Sequence, residues 1–181
     1  MENTLQIQDR VAVNKVPFIS KSIDRGDVVV FRDPANWLPA ITEDTSGNVI
    51  LRKARELLVF SGVLPNPAKQ YLVKRVIGVA GDTVICCDKA GALTINGKKT
   101  TEPYIFAGNK PSEMAFKVTV PEGKVWVMGD HRGASADSRY HQDDVNNGMV
   151  PVSKITGRVF AVIWPWKNFA LVPSQNPIAT K

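Results

Sequence analysis

Residues 71–83 read YLVKRVIGVAGDT, a lysine set in an apolar run that a Gly-Asp turn closes. In a β-strand successive side chains point to opposite faces, so Lys74 shares its face with Leu72 and Val76. Aliphatic neighbours strip water from an ammonium group, and desolvation lowers the pKa of a lysine from about 10.4. A lysine whose pKa falls to about 7–8 can act as a general base, whereas most strand lysines simply extend to solvent. The run therefore predicts a strand with either a catalytic or an ordinary lysine.

The composition is that of a globular protein with a sizeable core. The chain has 181 residues, 44% of them hydrophobic, which suits a single domain over residues 1–181. Its net charge is +6, but the basic residues are scattered and form no ribbon with aromatic residues, so nucleic acid is not an expected partner. No apolar stretch approaches the roughly 18 residues that span a bilayer, and we expect the chain itself to be soluble.

Short β segments separated by turns predict a mostly β domain with antiparallel sheets. Beside the lysine strand, strands are expected at residues 11–14, 23–31, 82–87, 93–95, 116–120, 124–128 and 155–164. Asn96-Gly97 predicts a hairpin, and Pro121-Glu122-Gly123 predicts another strand, turn, strand unit. Residues 32–70 are punctuated by proline and have helical spacing only at 50–63, so we interpret them as an insertion with one short helix.

Cys86 and Cys87 are the only cysteines, and they are adjacent. Across a trans peptide their Cα atoms would lie about 3.8 Å apart, below the usual span of a disulfide. A disulfide between them is therefore not expected.

A second polar segment, GDHRGASADSR at residues 129–139, directly follows an apolar strand. Such a segment can be a plain surface loop, yet loops at strand ends are where functional groups gather. Ser135, Asp137 and Arg139 offer a hydroxyl, a carboxylate and a guanidinium close together in sequence. These groups are sufficient to orient a lysine or to tie the loop together by an ion pair.

The sequence lacks the patterns of the other common catalytic sites. His131 and His141 have no partners at metal-ligand spacing, and no serine in a tight turn completes a Ser-His-Asp triad. The glycine patterns that bind nucleotide phosphates are also missing. We therefore expect neither a metal nor a cofactor.

Taken together, the two polar motifs resemble those of a known family. YLVKRVIGVAGD at residues 71–82, followed by MGDHRGASADSR at 128–139, looks like the paired motifs of the type I signal peptidases. These Ser-Lys peptidases remove the leader peptides of secreted proteins. MENTLQIQDRVAVNK at the start, RGDVVVF at 25–31 and GRVFAVIWPW at 157–166 are similar to further segments of the family. The resemblance covers nearly the whole chain and implies a signal-peptidase-like β fold.

This resemblance implies a role for each matching residue. Lys74 would be the general base that deprotonates a serine nucleophile, and Ser135 would orient its amine. Asp137 and Arg139 would form the supporting ion pair of the loop. Strand alternation places Arg75 on the face opposite Lys74. We therefore add that Asp130 would hold the cation of Arg75 on that face.

The chain also departs from the family's pattern. The nucleophilic serine of the family immediately precedes a methionine that aligns here with Met1, so the serine falls outside this chain. We therefore expect the chain to be inactive as written, a catalytic domain that begins just after its nucleophile. The serines outside the matching motif are not expected to replace it; they include Ser20, Ser22, Ser112 and Ser138. Gln8 replaces a usual glycine, and His131 stands where asparagine is frequent.

The resemblance further implies the substrate, the signal peptide of an exported pre-protein, extended along an exposed strand edge. Its expected lining is Met1, Leu5, Tyr71, Leu72 and Val73. The parent protein would be anchored at the extracytoplasmic face of the bacterial plasma membrane.

The segment with Trp164 and Trp166 is suited to a membrane interface, although a packed strand end is an equal alternative. Two other functions stay open at this point. One is a self-cleaving repressor type of Ser-Lys peptidase, which normally carries a DNA-binding domain. The other is a non-catalytic β domain that binds peptides or membrane surfaces.

Overall fold

The computed structural model describes residues 1–15, 23–39 and 70–178, and these residues are mostly β. The strands are β1 (Arg10–Asn14), β2 (Val28–Arg32), β3 (Tyr71–Gly78), β4 (Thr83–Cys86), β5 (Thr94–Ile95), β6 (Lys98–Lys99), β7 (Phe116–Thr119), β8 (Lys124–Met128), β9 (Val150–Pro151), β10 (Ile155–Trp164) and β11 (Ala170–Leu171). Short 3₁₀ helices lie at Arg132–Ala134, Ser138–Tyr140, Val152–Lys154 and Trp166–Asn168. The predicted mostly β fold with antiparallel sheets is confirmed.

Two antiparallel sheets organise the described residues. The larger has seven strands in the order β1-β10-β2-β3-β8-β9, with β11 added beside β10, and the smaller has the order β6-β5-β4-β7. The chain passes from β3 to β4 through the Gly-Asp turn, where Gly81 has a φ of +85° that favours glycine. The Asp82 carboxylate accepts the N–H of Val79 at 2.9 Å and binds the guanidinium of Arg25. This turn therefore fixes how the two sheets meet.

The lysine strand β3 lies inside the larger sheet, between β2 and β8. Its pairing with β2 covers residues 71–75, whereas its pairing with β8 begins only at Arg75, opposite Met128. On the side that faces β8, the backbone of residues 71–74 is therefore not paired with β8, and we call this side the free edge of β3.

The pleat of β3 distributes its side chains between separate core clusters. Leu72 and Val76 are buried in a cluster with Phe31, Trp37 and residues of β8. Val73 instead packs against a cluster formed by β2 and β10, which the N-terminal segment also contacts. A third cluster around Trp126 fills the space beside the smaller sheet. The alternation read from the sequence thus decides which sheet face each residue of β3 supports.

Turn chemistry explains one hairpin, but the second predicted unit is not a hairpin. Asn96 and Gly97 have φ values of +53° and +75°, as a type I′ turn requires, and join the paired strands β5 and β6. The strands β7 and β8 flank their predicted turn without pairing with each other, because β7 pairs with β4 and β8 with β3 and β9. The chain leaves the smaller sheet at Val120, whose N–H donates to the carbonyl of Asp82.

The expectation that Cys86 and Cys87 are not bonded is wrong. Their sulfur atoms are joined in a disulfide. The expectation assumed a trans peptide, but the peptide between the two residues is cis and its Cα atoms lie 3.0 Å apart.

The structure describes only the two ends of the predicted insertion at residues 32–70, and the helix expected at 50–63 lies outside the described residues. At the first end, the Asp33 carboxylate accepts backbone N–H groups, including that of Trp37, whose side chain is buried. Within the described ranges, none of the helices has the length and apolar character that crossing a membrane requires.

Candidate active site

Lys74 is only partly exposed on β3, and its Nζ donates a hydrogen bond of 2.8 Å to the hydroxyl oxygen of Ser135. Burial lowers the pKa of this amine below its ordinary value of 10.5, because the charged form loses its hydration. The negative charge of Asp137 opposes this change, and the positive charge of Arg139 reinforces it. The structure therefore places a lysine with a depressed pKa against an oriented hydroxyl.

The contact between Lys74 and Ser135 requires a glycine in the loop of residues 129–139. A Cβ atom at Gly129 would overlap the Ser135 hydroxyl and would lie 3.8 Å from the Lys74 Nζ. Only a residue without a side chain leaves room for the hydroxyl to reach the amine. The close approach of the Ser135 hydroxyl to the backbone thus explains why the GDHRGASADSR motif begins with glycine.

The loop is tied together by Asp137 and Arg139, whose side chains are completely buried. The guanidinium donates to both carboxylate oxygens, at 2.8 and 2.9 Å, and also to the carbonyl of Arg132 at 2.8 Å. The Asp137 carboxylate additionally accepts the N–H of Gly129 at 2.9 Å. Because both charges are paired and hydrogen-bonded, the pair tolerates burial and fixes the loop around Ser135.

The opposite face of β3 carries a second buried ion pair, which strand alternation predicts. The Arg75 guanidinium donates to the two carboxylate oxygens of Asp130 at 2.9 and 2.8 Å, and to the carbonyl of Gly26 at 2.8 Å. It also donates to the hydroxyl of Thr4 at 3.1 Å and lies 4.1 Å from the ring centre of Tyr104. This pair attaches the N-terminal segment to the core.

The N-terminal residue packs against the same core cluster as Val73, the neighbour of the candidate base. The pKa of the Met1 α-amino group is lowered, first by burial and then by repulsion from the Lys74 ammonium. An atom joined to the Met1 nitrogen would consequently lie in the neighbourhood of Lys74.

A groove of about 460 Å³ opens beside this point. Three of its apolar lining residues are Met1, Leu5 and Val73, which the sequence analysis assigned to the substrate. The two other assigned residues lie elsewhere. Leu72 is buried in the core because alternation turns it away from Val73, and Tyr71 is exposed at the start of β3 without lining the groove. The structure thus brings together three of the five expected lining residues.

Two contacts at the site were not anticipated from the sequence. Arg132 is buried and forms an ion pair of 2.5 Å with Glu102, and its guanidinium also donates to the carbonyl of Gly129. His131 contacts Glu2. Glu102 and Glu2 are far in sequence from their partners, so periodicity gives no signal for either contact. The only signal in the sequence is the high density of charged residues in the loop, which indicates that ion pairs form there.

Among the described residues, no group of three or more histidine, cysteine or acidic side chains has the arrangement of a metal site.

Comparison with known proteins gives consistent matches along the chain. A family model described as signal peptidase, peptidase S26, matches residues 1–164. The probable signal peptidase I of Mycobacterium leprae is 39% identical, with 97% of this chain and 69% of that protein covered. The signal peptidase I of Mycobacterium tuberculosis H37Rv is also 39% identical, with 98% and 66% covered. The chain spans about two thirds of the length of these mycobacterial relatives.

A crystal structure of a signal peptidase I from Enterococcus faecalis V583 matches with a TM-score of 0.47 and 25% identity, covering 76% of this chain and 97% of that one. The family match itself extends from the segment beside Lys74 through β3, the loop at 129–139 and the last long strand. The family match over residues 1–164 and the 39% identity to the mycobacterial proteins show that the chain belongs to the signal peptidase family, peptidase S26.

Proposed function

We propose that this chain is the catalytic domain of a type I signal peptidase, a serine endopeptidase that removes signal peptides from exported pre-proteins. The observation that carries the proposal is the 2.8 Å hydrogen bond between the Lys74 amine and the hydroxyl of Ser135. Burial lowers the pKa of this same lysine. A neutral amine keeps a lone pair for a proton, whereas an ammonium has none. Burial therefore supplies the form of lysine that a Ser-Lys dyad needs.

In the proposed mechanism the Lys74 Nζ takes the proton of a serine hydroxyl while the serine oxygen bonds to the scissile carbonyl carbon. The carbon–nitrogen bond then breaks, and the leaving amine takes the proton back from Lys74. Water hydrolyses the resulting acyl-enzyme, with Lys74 again accepting and returning a proton. Ser135 directs the amine throughout, because its oxygen accepts one N–H and leaves the lone pair free for the nucleophile.

The nucleophile of this proposal is a serine joined directly to the N-terminal side of Met1. The placement of Met1 supports this position, since Met1 lines the groove together with Val73, the neighbour of Lys74 in β3. Ser112 and Ser138 do not suit the role, because the first donates to the carbonyl of Met114 and the second accepts the N–H of Val127. We therefore expect turnover to depend on a serine at this position.

We propose that the substrate adds to the free edge of residues 71–74 as an extended strand, with main-chain hydrogen bonds supplying much of its affinity. Its small side chains would enter the adjacent groove, where Met1, Leu5 and Val73 provide an apolar lining. This arrangement suits leader peptides that end in a small-x-small motif.

A membrane-facing orientation completes the proposal. Trp164 and Trp166 are exposed at the end of β10, and their ring centres are 6.4 Å apart. Phe169 and Leu171 are exposed next to them in the chain. Aromatic side chains of this kind favour the membrane interface, so we assign this end of the molecule to the extracytoplasmic surface of the plasma membrane.

The test uses a serine-extended chain, defined as this chain with Gly-Ser joined to Met1. We expect it to cleave a leader peptide after its small-x-small motif, at a bond identified by mass spectrometry. The unextended chain and the serine-extended Lys74→Ala variant should both leave the peptide intact. Cleavage by the unextended chain would refute the position of the nucleophile, and cleavage by the Lys74→Ala variant would remove Lys74 from the mechanism.

A non-catalytic peptide-binding domain is the second candidate, and the free edge of β3 favours it because strand addition needs no nucleophile. The titration of Lys74 by NMR in the serine-extended chain separates the two candidates. A peptidase requires a pKa below the ordinary value of 10.5, so a Lys74 that titrates near its ordinary value would favour the binding domain.

A further inference from the structure

We propose that Glu2 and His131 form a brace that positions the residue next to the nucleophile, so that both act as positioning residues for catalysis. The proposal rests on the proposed function, because it concerns where the serine before Met1 lies relative to Lys74. Neither residue is assigned a part in the proton transfers themselves.

The brace is a single short hydrogen bond between His131 and Glu2, and its donor ring is held by stacking on Phe106. The Nδ1 atom of His131 lies 2.6 Å from a carboxylate oxygen of Glu2. The imidazole ring is stacked on Phe106, with ring centres 4.3 Å apart and planes 18° from parallel. His131 is 23% exposed and Glu2 is 41% exposed. The ring is therefore oriented by packing, and its N–H donates to a carboxylate that would otherwise be free to move.

The loop at residues 129–139 contacts both Lys74 and the segment that follows the proposed serine. Towards β3 it presents Ser135, which accepts a hydrogen bond from Lys74. Towards the N-terminus it presents His131, which contacts Glu2. Because the same rigid loop holds the base and the residue two positions after the proposed serine, it sets the distance between the amine and the hydroxyl.

The N-terminal segment has further anchors, but these are more distant from the serine. Thr4 binds the buried Asp130, and the side chain of Asn3 donates to the carbonyl of Tyr104 at 3.0 Å. Removing the Thr4 anchor would disturb the buried pair of Arg75 and Asp130, and hence the fold. The contact of Glu2 is at the surface, so its loss should move the segment without unfolding the domain.

Three substitutions of His131 separate its hydrogen bond to Glu2 from its stacking on Phe106. In His131→Asn the Nδ2 donor is the same number of bonds from Cα as the Nδ1 of histidine, so the contact with Glu2 is retained and the stacking is lost. In His131→Phe the ring remains to stack on Phe106, but the donor is lost. In His131→Ala both are lost. If the donor is what positions Glu2, asparagine should restore function and phenylalanine should not.

The first measurement uses the unextended chain and needs no turnover. The N–H groups of Thr4 and Leu5 both donate to the carbonyl of Met1, at 3.1 and 3.0 Å, so their hydrogen exchange reports on the order of this turn. We expect His131→Ala to accelerate exchange at both amides by about fivefold or more, with the amides of β3 unaffected. Unchanged exchange at both amides would overturn the brace.

The second measurement is the steady-state kinetics of the serine-extended chain. Glu2→Ala and His131→Ala should each lower kcat by about tenfold, and the double variant should lower it no further, because either change removes the same contact. His131→Asn should stay close to the parent, and KM should change little. Glu122→Ala, at an exposed glutamate away from the segment, is the matched control and should leave both constants unchanged.

Additive losses in the double variant would show that the two residues act separately and would refute the brace. A rise in KM with kcat unchanged would also refute it, because both residues line the groove and would then be substrate contacts. A serine-extended chain that cleaves nothing would refute the proposed function instead. Amide exchange would still decide in that case whether His131 orders the segment.

Discussion

At the scale of single residues, the site depends on an amine that is deprived of water. Burial lowers the pKa of Lys74, while the charges of Asp137 and Arg139 largely oppose each other in their effects on it. The hydroxyl of Ser135 accepts one hydrogen bond from the amine without adding charge. Desolvation favours the neutral amine, and the hydroxyl of Ser135 does not oppose this as a carboxylate in contact would, because a carboxylate stabilises the ammonium.

Ser135→Ala should lower kcat of the serine-extended chain by about 10- to 100-fold, because the amine loses the acceptor that directs its lone pair. The fold should remain intact, since the alanine leaves the loop's buried ion pair unchanged. Peptide cleavage assays give the rate, and circular dichroism verifies folding. Ser153→Ala, at an exposed serine elsewhere, is the control. Full activity in the Ser135→Ala variant would contradict the orienting role.

Lys74 should make stability depend on pH in a defined direction. Between its lowered folded-state pKa and its unfolded value near 10.5, the unfolded chain binds a proton that the folded chain does not, so stability rises with pH. Lys74→Met should therefore be more stable than the parent at neutral pH, and this advantage should shrink as the pH approaches 10.5. Urea unfolding across this range measures the difference. A constant difference at all pH values would indicate an unshifted lysine.

At the scale of elements, the loop at residues 129–139 is held by buried charges rather than by regular structure. Asp137 and Arg139 are completely buried, and their hydrogen bonds reach the backbone of Gly129 and Arg132. One ion pair thus holds the backbone at Gly129 and at Arg132 in place around Ser135. Breaking such a pair leaves an uncompensated buried charge, which costs more than the intact pair contributes.

Arg139→Met should destabilise the domain by about 3–5 kcal/mol, because it leaves the Asp137 carboxylate buried without its partner. It should also raise the pKa of Lys74, since the guanidinium lowers that pKa and Asp137 raises it. The pH–rate profile of the serine-extended variant should consequently shift to higher pH. Lys110→Met, which removes an exposed ion pair, should cost less than about 1 kcal/mol. A profile shifted to lower pH would contradict the assigned electrostatics.

The sequence predicts elements better than it predicts their partners. Alternation identifies β3 and the opposite placement of Lys74 and Arg75, and Asn96-Gly97 identifies a hairpin, because these depend on neighbouring residues alone. The pairing of β7 with β4 depends on the chain passing from the smaller to the larger sheet after Val120. The turn residues Pro121-Glu122-Gly123 do not indicate this passage.

Alternation also led to the pair of Arg75 with Asp130, but other contacts between distant residues could not be read from local patterns. The ion pair of Arg132 with Glu102 joins residues that are 30 positions apart, and that of His131 with Glu2 joins residues that are 129 apart. The expectation for Cys86 and Cys87 failed because it took the peptide between them to be trans. Patterns in the sequence singled out Lys74 and the segment 129–139, the family resemblance supplied the roles proposed for their residues, and the structure supplied their geometry.

At the scale of the whole molecule, much of the exposed apolar surface of the described residues lies where β10 and β11 end. Trp166 and Leu171 are each 72% exposed, and Trp164 and Phe169 extend the same region. Lys167 adds an exposed positive charge to it. An apolar aromatic surface with a nearby cation suits the interface of an anionic bilayer, and it would orient the groove relative to the membrane.

Replacing Trp164 and Trp166 together by serine should weaken binding to anionic phospholipid vesicles by about tenfold or more, because the interfacial contribution of both rings is lost. Vesicle sedimentation measures the binding. Cleavage of a soluble peptide by the serine-extended variant should be unaffected, since the rings are not in the groove lining. Val145→Ser, at a valine that is 90% exposed elsewhere, is the control. Equal vesicle binding by all three proteins would contradict a membrane-facing surface.

The central claim, that Lys74 acts as a neutral base, is tested most directly by following the NMR titration of its Nζ in the serine-extended chain alongside kcat at the same pH values. The account predicts a titration midpoint below 10.5 and a rise of kcat with pH through that same midpoint. A titration at or above 10.5, or a kcat profile that rises at a different pH, would contradict it.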